Sequence, residues 1–495
     1  MATLGRLAKN VAFRTGTEAF KKLVNLGFVV FVARKLGADG LGRYSFLLVL
    51  TSILGLIADC GFSALMLREV ATRRGEARKL LGASMLLKGL LSGVVFGLLW
   101  VVVLGVNAPT KAATGPMTGQ TEAYLFAMYC ILLSFMEMFN AFFVVDQRLD
   151  LDAVTNVVQR GGAVLLGIVL VLHGMGIKGI GYAFAVATAI AAALALGMVV
   201  KRFGRPVFRI DMALFKSLLK EAIPLALTLF FSTVYFRIDQ VMLGWMRSET
   251  ELGWYSAAYR VFEVTALVPC ILMLIALPMF SRLVKKSMEI LVRAGQQFLV
   301  FLLTLGIAIS VIVALSAPKI VGLFGKDFGK ESSQALTVLM LTVAPIFCNL
   351  VLTTLLIAIS KQVRLMYCFV AGAIVNIALN SLMIPQWGYF GAAFSTLLTE
   401  ILLFVSVAHF LRLYLPGWRL RAVLLRPFVS AALAFLLAYS LGLWGNKPAF
   451  VAVWLVLFGA GVVVSRTINW RELSLLRCAS DVPPRSDSVN PGDGG

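Results

Sequence analysis

The sequence predicts an all-α polytopic membrane protein, and three observations support this fold class. First, 60% of the 495 residues are hydrophobic and 14% are charged, whereas soluble domains carry about 25% charged residues. Second, uninterrupted apolar runs such as LLSGVVFGLLWVVVLGV (90–106) have nearly the length of a membrane-spanning helix. Third, these runs lack the alternation of apolar and polar residues that is typical of membrane β-barrel strands.

About 14 apolar runs approach the roughly 20 residues that a spanning helix needs. The predicted spans are 10–33, 43–63, 82–106, 122–145, 154–173, 178–200, 217–246, 252–280, 294–316, 333–358, 364–384, 389–411, 425–444 and 448–465. The connections between them are too short to hold a separate soluble domain. We interpret the first run as an uncleaved spanning helix, because it is long and charged and lacks a small-residue cleavage site.

The basic residues follow the positive-inside rule. With a cytoplasmic N-terminus, the cytoplasmic segments hold about 28 Lys and Arg and the exofacial segments about 10. This asymmetry predicts that both termini are cytoplasmic, and it favours an even number of spans. The formal charge of +21 is spread over these small clusters. We therefore attribute it to membrane topology and predict no nucleic-acid partner.

Two short motifs recur at nearly the same offset. LGRYS at 41–45 returns as LGWYS at 252–256, an offset of 211, and GIKG at 176–179 returns as GYFG at 388–391, an offset of 212. Each copy begins a predicted span at its exofacial end. Because the offset covers six spans, an even number, the two copies have the same orientation across the membrane.

The repeat predicts the domain organisation of two pseudo-symmetric six-helix lobes plus two C-terminal helices. The N-terminal lobe covers 1–205 and the C-terminal lobe 206–415. Two extra transmembrane helices cover 416–470, and a disordered cytoplasmic tail covers 471–495. Two lobes that face each other would enclose a central transport cavity.

Enzyme chemistry and cofactors are not predicted. GLFGKDFGKES (322–332) fails as a phosphate-binding loop in its glycine–lysine spacing and in the Glu331 that follows the lysine. RLDLD (148–152) contains two aspartates, but it lies in a short cytoplasmic turn without a nucleotide-binding domain. The six cysteines form no CxxC motif and there are two histidines, so we expect neither a metal site nor another cofactor.

Charged residues inside the predicted spans are the candidate functional residues, because burying charge in a bilayer is costly. The first span begins with AFRTGTEAFKK (12–22). Helical spacing places Arg14, Glu18, Lys21 and Lys22 on one stripe. This stripe must face protein or a wet cavity, because lipid does not tolerate it.

The repeat predicts the partners of this stripe. The seventh span carries Arg237 and Asp239, and the eighth carries Arg260 and Glu263 one turn apart. The first, second, seventh and eighth spans are repeat equivalents, so we expect them to face one another. Their cations would then form a ladder across the membrane with a surplus of positive charge, and the substrate would supply the anion.

A second interpretation of these charges remains open. Arg14 with Glu18 and Arg260 with Glu263 have the spacing of local ion pairs, which would only position helices. For Lys88 and Arg160 we expect snorkelling toward the membrane interface.

Three stretches in order resemble a known transporter family: RKLGADGLGRYSF, DCGFSALMLREV and IPLALTLFFSTVYFRIDQVMLGWMRSETELGWYSAAYR. The chain resembles, over roughly 5–415, the polysaccharide (lipid-linked oligosaccharide) flippase branch of the multidrug/oligosaccharidyl-lipid/polysaccharide exporter superfamily. The resemblance implies 12 to 14 helices in two lobes, and alternating access. It also implies movement of polyprenyl-pyrophosphate-linked oligosaccharide from the inner to the outer leaflet of the cytoplasmic membrane, for surface polysaccharide biosynthesis.

The resemblance also implies site residues. By position, the cations that would handle the pyrophosphate are Arg14, Lys21, Lys22, Arg237 and Arg260. The acids that would couple an ion or balance charge are Glu18, Asp59, Asp239 and Glu263. The implied partners are membrane lipids and the lipid-linked substrate, a coupling H⁺ or Na⁺, and a polysaccharide polymerase with glycosyltransferases.

Other functions remain open at this stage. A flippase for the peptidoglycan lipid precursor shares the superfamily and the basic first helix. A cation-coupled drug exporter would use clustered membrane acids, but cations accompany most acids of this chain. A membrane polymerase or ligase would need a large exofacial catalytic loop, and the longest one here, 107–122, is too small.

Overall fold

The computed structural model describes the backbone of 2–106, 120–418 and 420–464, and the side chains of 22–101, 120–227, 229–418 and 424–464. The described chain is helical and contains no β-strand. Its α-helices are α1 (Ala2–Asp59), α2 (Phe62–Thr72), α3 (Ala77–Val106), α4 (Gln120–Val145), α5 (Leu149–Leu172), α6 (Gly176–Phe203), α7 (Met212–Met246), α8 (Glu249–Thr265), α9 (Leu267–Lys286), α10 (Met288–Gly322), α11 (Lys330–Leu341), α12 (Val343–Ala358), α13 (Gln362–Trp387), α14 (Tyr389–Tyr414), α15 (Leu420–Ser440) and α16 (Lys447–Val464).

The predicted all-α polytopic fold is confirmed. Every one of the predicted spans lies on one or two of these helices. Eleven helical stretches of the described chain are long and apolar enough to cross a membrane, judged by length and composition. The lower number arises partly because the first two predicted spans share the continuous helical stretch of α1.

α1 is broken inside, where the sequence predicted a turn between two spans. Gly37 has φ 72° and ψ −171°, which lies outside the helical region. A residue with a side chain rarely adopts this conformation. The glycine therefore divides α1 into two helical segments, as the hydropathy pattern predicted.

Each pair of repeat motifs shares a structural property at a matched position of its two copies. Tyr44 of LGRYS and Tyr255 of LGWYS are each 0% exposed. Gly176 and Gly388, which open the second pair of motifs, have φ values of 55° and 54°. Because burial and backbone conformation agree at matched positions, the internal repeat extends from sequence to local structure.

The described chain packs as two compact units. The first contains the residues up to Val264 together with Ala317–Leu339 and Phe369–Thr399. Its core includes an aromatic cluster in which Phe184 packs against Phe28, Tyr44, Phe126 and Tyr129.

The second unit contains Thr265–Ser316, Met340–Cys368 and the residues from Glu400 onward. Within it, Asn349 of α12 donates hydrogen bonds to the carboxylate of Glu400 on α14 and to its backbone carbonyl, at 2.7 and 3.0 Å. α15 packs against α16. The division into lobes at 205 and 415 stays a prediction, and the predicted tail lies outside the described residues.

Candidate functional site

The candidate site in the first unit is built around the carboxylate of Glu263, near the end of α8. Its Oε1 accepts a hydrogen bond of 2.6 Å from Nη2 of Arg237 on α7. Its Oε2 accepts one of 2.9 Å from Nη1 of Arg260, one helical turn before it on α8. One carboxylate therefore bridges two guanidinium groups from neighbouring helices.

Lys22 on α1 contributes a third cation to this site. It is partly buried, and it lies close enough to Glu263 to interact with it electrostatically. Lys22 is 15 residues from the break at Gly37, and Glu263 is 14 residues from the start of α8. At 1.5 Å per residue, both positions lie about 21–23 Å along their helices from these ends. α1 and α7 also pack against each other.

Arg260 is the most buried member of the site, with 5% of its side chain exposed. Its Nη1 is bonded to Glu263, but its Nη2 is buried and has no hydrogen-bond partner among the described residues. Since a buried donor without a partner is costly, this guanidinium nitrogen is a candidate contact for an anion.

Buried tyrosines adjoin the cations. Tyr44, which is fully buried, interacts electrostatically with Arg260, Glu263 and Arg237, and also with Arg160 on α5. The guanidinium of Arg237 lies 6.0 Å from the ring centre of Tyr259. The site thus combines several cations with a low-polarity surrounding, in which electrostatic interactions are strong.

Asp239 has a different environment from Glu263. It is 3% exposed, and it accepts hydrogen bonds from the hydroxyl of Tyr255 and, at 2.8 Å, from the backbone N–H of Gln240. It also lies in electrostatic range of Arg237. Its hydrogen bonds tie α7 to α8, so its visible role is to hold these two helices together.

The cations around Glu263 outnumber the acids beside them. Lys22, Arg237 and Arg260 act on Glu263, and Asp239 is a second acid in range of Arg237. These described side chains therefore have a surplus of positive charge. The local pair between Arg260 and Glu263 does form, but Glu263 is shared with Arg237, so it does not neutralise both.

Asp59 lies apart, in a buried ion pair with Lys88. Nζ of Lys88 is 2.8 Å from Oδ1 of Asp59 and 2.6 Å from the carbonyl oxygen of Ser134, and the lysine is 0% exposed. Ser63 donates to the same carboxylate oxygen at 2.6 Å. The expectation that Lys88 snorkels to the interface is therefore wrong, because a buried carboxylate at the same depth satisfies its charge.

The side chains of Arg14, Glu18 and Lys21 lie outside the described residues, although their backbone belongs to α1. Sequence reasoning found Asp59 and Lys88 separately but did not pair them. The signal was available, because the two opposite charges stand near the cytoplasmic ends of consecutive predicted spans.

The sequence analysis also did not predict a close contact between two helices of the first unit at Gly42 and Gly253, which we call the glycine seam. A Cβ atom added to Gly42 would overlap the carbonyl oxygen of Glu249, and one added to Gly253 would overlap that of Ala38. These contacts are reciprocal, because Ala38 and Gly42 stand 211 residues before Glu249 and Gly253. The repeat offset was the available signal.

Side chains next to the seam bind backbone carbonyls of the same unit. Nε of Arg34 donates to the carbonyl of Leu323 at 2.7 Å, and the indole N–H of Trp254 donates to that of Asp327 at 3.0 Å. Leu323 follows the C-terminus of α10, where a cation interacts favourably with the helix dipole. The turns that the sequence predicts to be exofacial are thus linked to each other within this unit.

The family assignment follows from comparison with known proteins. A family model described as "Polysaccharide biosynthesis protein" matches residues 7–284, which is more than half of the chain. The chain belongs to this family. A second family model, MatE, matches residues 224–382 of this chain. The two matches support the multidrug/oligosaccharidyl-lipid/polysaccharide exporter superfamily and its polysaccharide flippase branch.

Individual proteins similar to this chain agree with the family assignment. The "Probable low-salt glycan biosynthesis flippase Agl15" of Haloferax volcanii is 22% identical over 395 residues, covering 77% of this chain and 79% of the relative. A structure of the lipid II flippase MurJ in an inward closed conformation has a TM-score of 0.72 at 13% identity, covering 94% of this chain and 100% of MurJ.

A third relative is an inward-facing multidrug resistance MATE transporter, with a TM-score of 0.67 at 15% identity over 79% of this chain and 95% of that one. At these identities the solved structures show the fold alone. These relatives are flippases and transporters. Together with the apolar helices, the comparisons identify the chain as a multi-pass membrane protein of the flippase and transporter class.

Proposed function

We propose that this chain is a flippase for lipid-linked oligosaccharide. It would move a polyprenyl-pyrophosphate-linked oligosaccharide from the inner to the outer leaflet of the cytoplasmic membrane by alternating access, for surface polysaccharide biosynthesis. The observation that carries the proposal is the surplus of positive charge around Glu263. A pyrophosphate that links a lipid to a sugar carries two negative charges and would complement this surplus.

The donor geometry supports this substrate class. Guanidinium groups bind phosphate oxygens with several N–H donors in a fixed plane. Nη2 of Arg260 is such a donor, buried and without a hydrogen-bond partner among the described residues. Lys22 adds a flexible ammonium group from α1. The name of the Haloferax relative, a glycan biosynthesis flippase, agrees with the proposal.

Loss of the site cations tests the proposal. In the source organism, Arg237→Gln and Arg260→Gln would each reduce surface polysaccharide strongly while the protein remains in the membrane at wild-type level. Arg293→Gln is the matched control, because Arg293 forms an exposed pair with Glu289 on α10. Normal polysaccharide in both site variants, with normal protein level, would refute the proposal.

The peptidoglycan-precursor flippase is the second candidate, and the likeness to MurJ favours it. Both substrates carry a lipid pyrophosphate, so the described cation site does not separate them. Complementation of a strain depleted of its peptidoglycan-precursor flippase does: growth would identify the second candidate, and lysis together with restored polysaccharide in a deletion strain would identify the first. A cation-coupled drug exporter is tested by drug uptake into inverted vesicles.

The remaining parts of the proposal concern topology and partners. Both termini would be cytoplasmic, and H⁺ or Na⁺ would couple transport through one of the membrane acids. A polysaccharide polymerase and glycosyltransferases would act after and before the flippase. Glycosyltransferase genes beside the gene for this chain would support the oligosaccharide substrate directly.

A further inference from the structure

The position of Glu263 raises a problem for any anion that enters the site. Each of its two oxygens accepts a charge-assisted hydrogen bond from a different arginine, Arg237 at 2.6 Å and Arg260 at 2.9 Å. A bridging phosphate would need the same two guanidinium groups. The chain's own carboxylate therefore already occupies part of the place that the substrate phosphate requires.

The carboxylate has a physical reason to be there. Arg237, Arg260 and Lys22 all act on Glu263, and Arg260 is 5% exposed. Clustered cations that are withdrawn from water repel one another and lose hydration, so the empty site needs a counter-charge. Glu263 supplies it from within the protein.

An entering anion has contacts available before Glu263 moves. Nη2 of Arg260 has no partner among the described residues. Lys22 is partly buried and sits on another helix, α1. The side chain of Glu263 is 24% exposed, so it has room to rotate away from the guanidinium groups when a phosphate replaces it.

We propose that Glu263 is an internal counter-ion that competes with the substrate phosphate for Arg237 and Arg260. It weakens binding of the pyrophosphate, promotes its release, and lowers the positive charge of the empty site during the return of the transporter. The inference rests on the proposed function, because it assumes that the site takes a phosphate. Glu263 thus lowers the affinity for the substrate pyrophosphate and raises the rate of transport.

Binding to the purified full-length protein in detergent tests the idea, with inorganic pyrophosphate and farnesyl pyrophosphate as probes. Glu263→Gln keeps the shape of the side chain and removes its charge. We expect this variant to bind farnesyl pyrophosphate about tenfold more tightly than wild type, because charged acceptors are much stronger competitors than an amide. Its affinity would also fall more steeply with added salt, because the net positive charge of the site is larger.

Transport gives the second readout. The Glu263→Gln variant would flip substrate more slowly than wild type despite binding it more tightly, because release and empty return both lose their counter-ion. Glu289→Gln is the matched control: it removes one carboxylate from an exposed pair with Arg293, and it would change neither affinity nor transport. Tighter binding by farnesyl pyrophosphate than by pyrophosphate would assign the site to a lipid anion, and the reverse to free phosphate.

The outcomes separate the inference from the function on which it rests. If wild type binds a probe, Arg260→Gln loses it, and a folded Glu263→Gln binds equally or more weakly, then Glu263 merely holds the arginines and the inference is overturned. If neither wild type nor Glu263→Gln binds either probe, the proposed function falls as well. If Glu263→Gln does not fold, Glu263→Asp serves instead: its shorter carboxylate cannot bridge both arginines, so tighter binding is expected and unchanged binding overturns the idea.

Discussion

The hydroxyl of Thr250 donates a hydrogen bond to the carboxylate of Asp39, and the two residues are 211 positions apart. This is the offset between the two copies of the LGxYS motif. The bond therefore joins residues at matched positions of the repeat. It lies beside the glycine seam, in which Gly42 and Gly253 each contact a backbone carbonyl of the other copy.

In the topology that the sequence predicts, the seam lies at the exofacial end of its helices, so we expect it to close access to the site from that side. Gly253→Ala or Gly42→Ala would force the two backbones apart, because the added Cβ overlaps a carbonyl oxygen rather than a movable side chain. With the native cysteines replaced and Lys22→Cys as a reporter, a membrane-impermeant maleimide added outside should label either glycine variant several times faster than the parent protein.

A glycine on the same helix controls for the substitution itself. Gly27→Ala places its Cβ in open space, with no atom within 4 Å, and should leave the labelling rate unchanged. Equal labelling of all variants would show that the seam does not limit access.

The two repeat tyrosines predict unequal effects of the same substitution. Tyr255→Phe removes the hydroxyl that Asp239 accepts from, and leaving a buried carboxylate with fewer donors costs about 1–3 kcal/mol. Tyr44→Phe removes a hydroxyl that has no hydrogen-bond partner among the described residues, so it should cost little. Thermal unfolding of the purified variants measures the difference, and equal destabilisation would contradict the assignment of Asp239 to helix pairing.

The buried pair of Lys88 and Asp59 predicts a strong coupling between the two residues. Lys88→Met would strand a carboxylate that is buried and hydrogen-bonded to Ser63, at a cost of about 3–5 kcal/mol. The double variant Lys88→Met with Asp59→Asn should recover most of this loss, because no unpaired charge remains. Lys178→Met, which replaces an exposed lysine on α6, is the control; additive effects in the double variant would exclude the coupling.

Arg260 should not tolerate a conservative replacement. Arg260→Lys keeps the charge but loses the planar group that can bind Glu263 with one nitrogen and present another. We expect transport to fall by at least about tenfold, since lysine does not reproduce bridging guanidinium contacts. Arg293→Lys in the exposed pair on α10 should have no effect. Full activity of Arg260→Lys would mean that only its charge matters.

Hydropathy was sufficient to predict the helices, because a bilayer requires long apolar helical segments whatever their contacts. The i,i+3 spacing left open a local pair of Arg260 and Glu263, and the structure contains it. Spacing could not predict that Arg237 of another helix shares the same carboxylate. Helix periodicity shows which residues lie on one face of a helix, but it does not show which helix packs against that face. Lys88 was misjudged for the same reason: its distance from a span end says nothing of Asp59 beside it.

Three charges at the centre of the site have uncharged counterparts in the other copy of the repeat. At the repeat offset, Arg237, Arg260 and Glu263 correspond to Leu26, Val49 and Ser52, while the motif next to them is equally buried in both copies. A duplicated gene could therefore have acquired the cluster by three substitutions without rebuilding its scaffold. These three uncharged positions offer protein engineers a matched location at which a second headgroup-binding cluster could be installed.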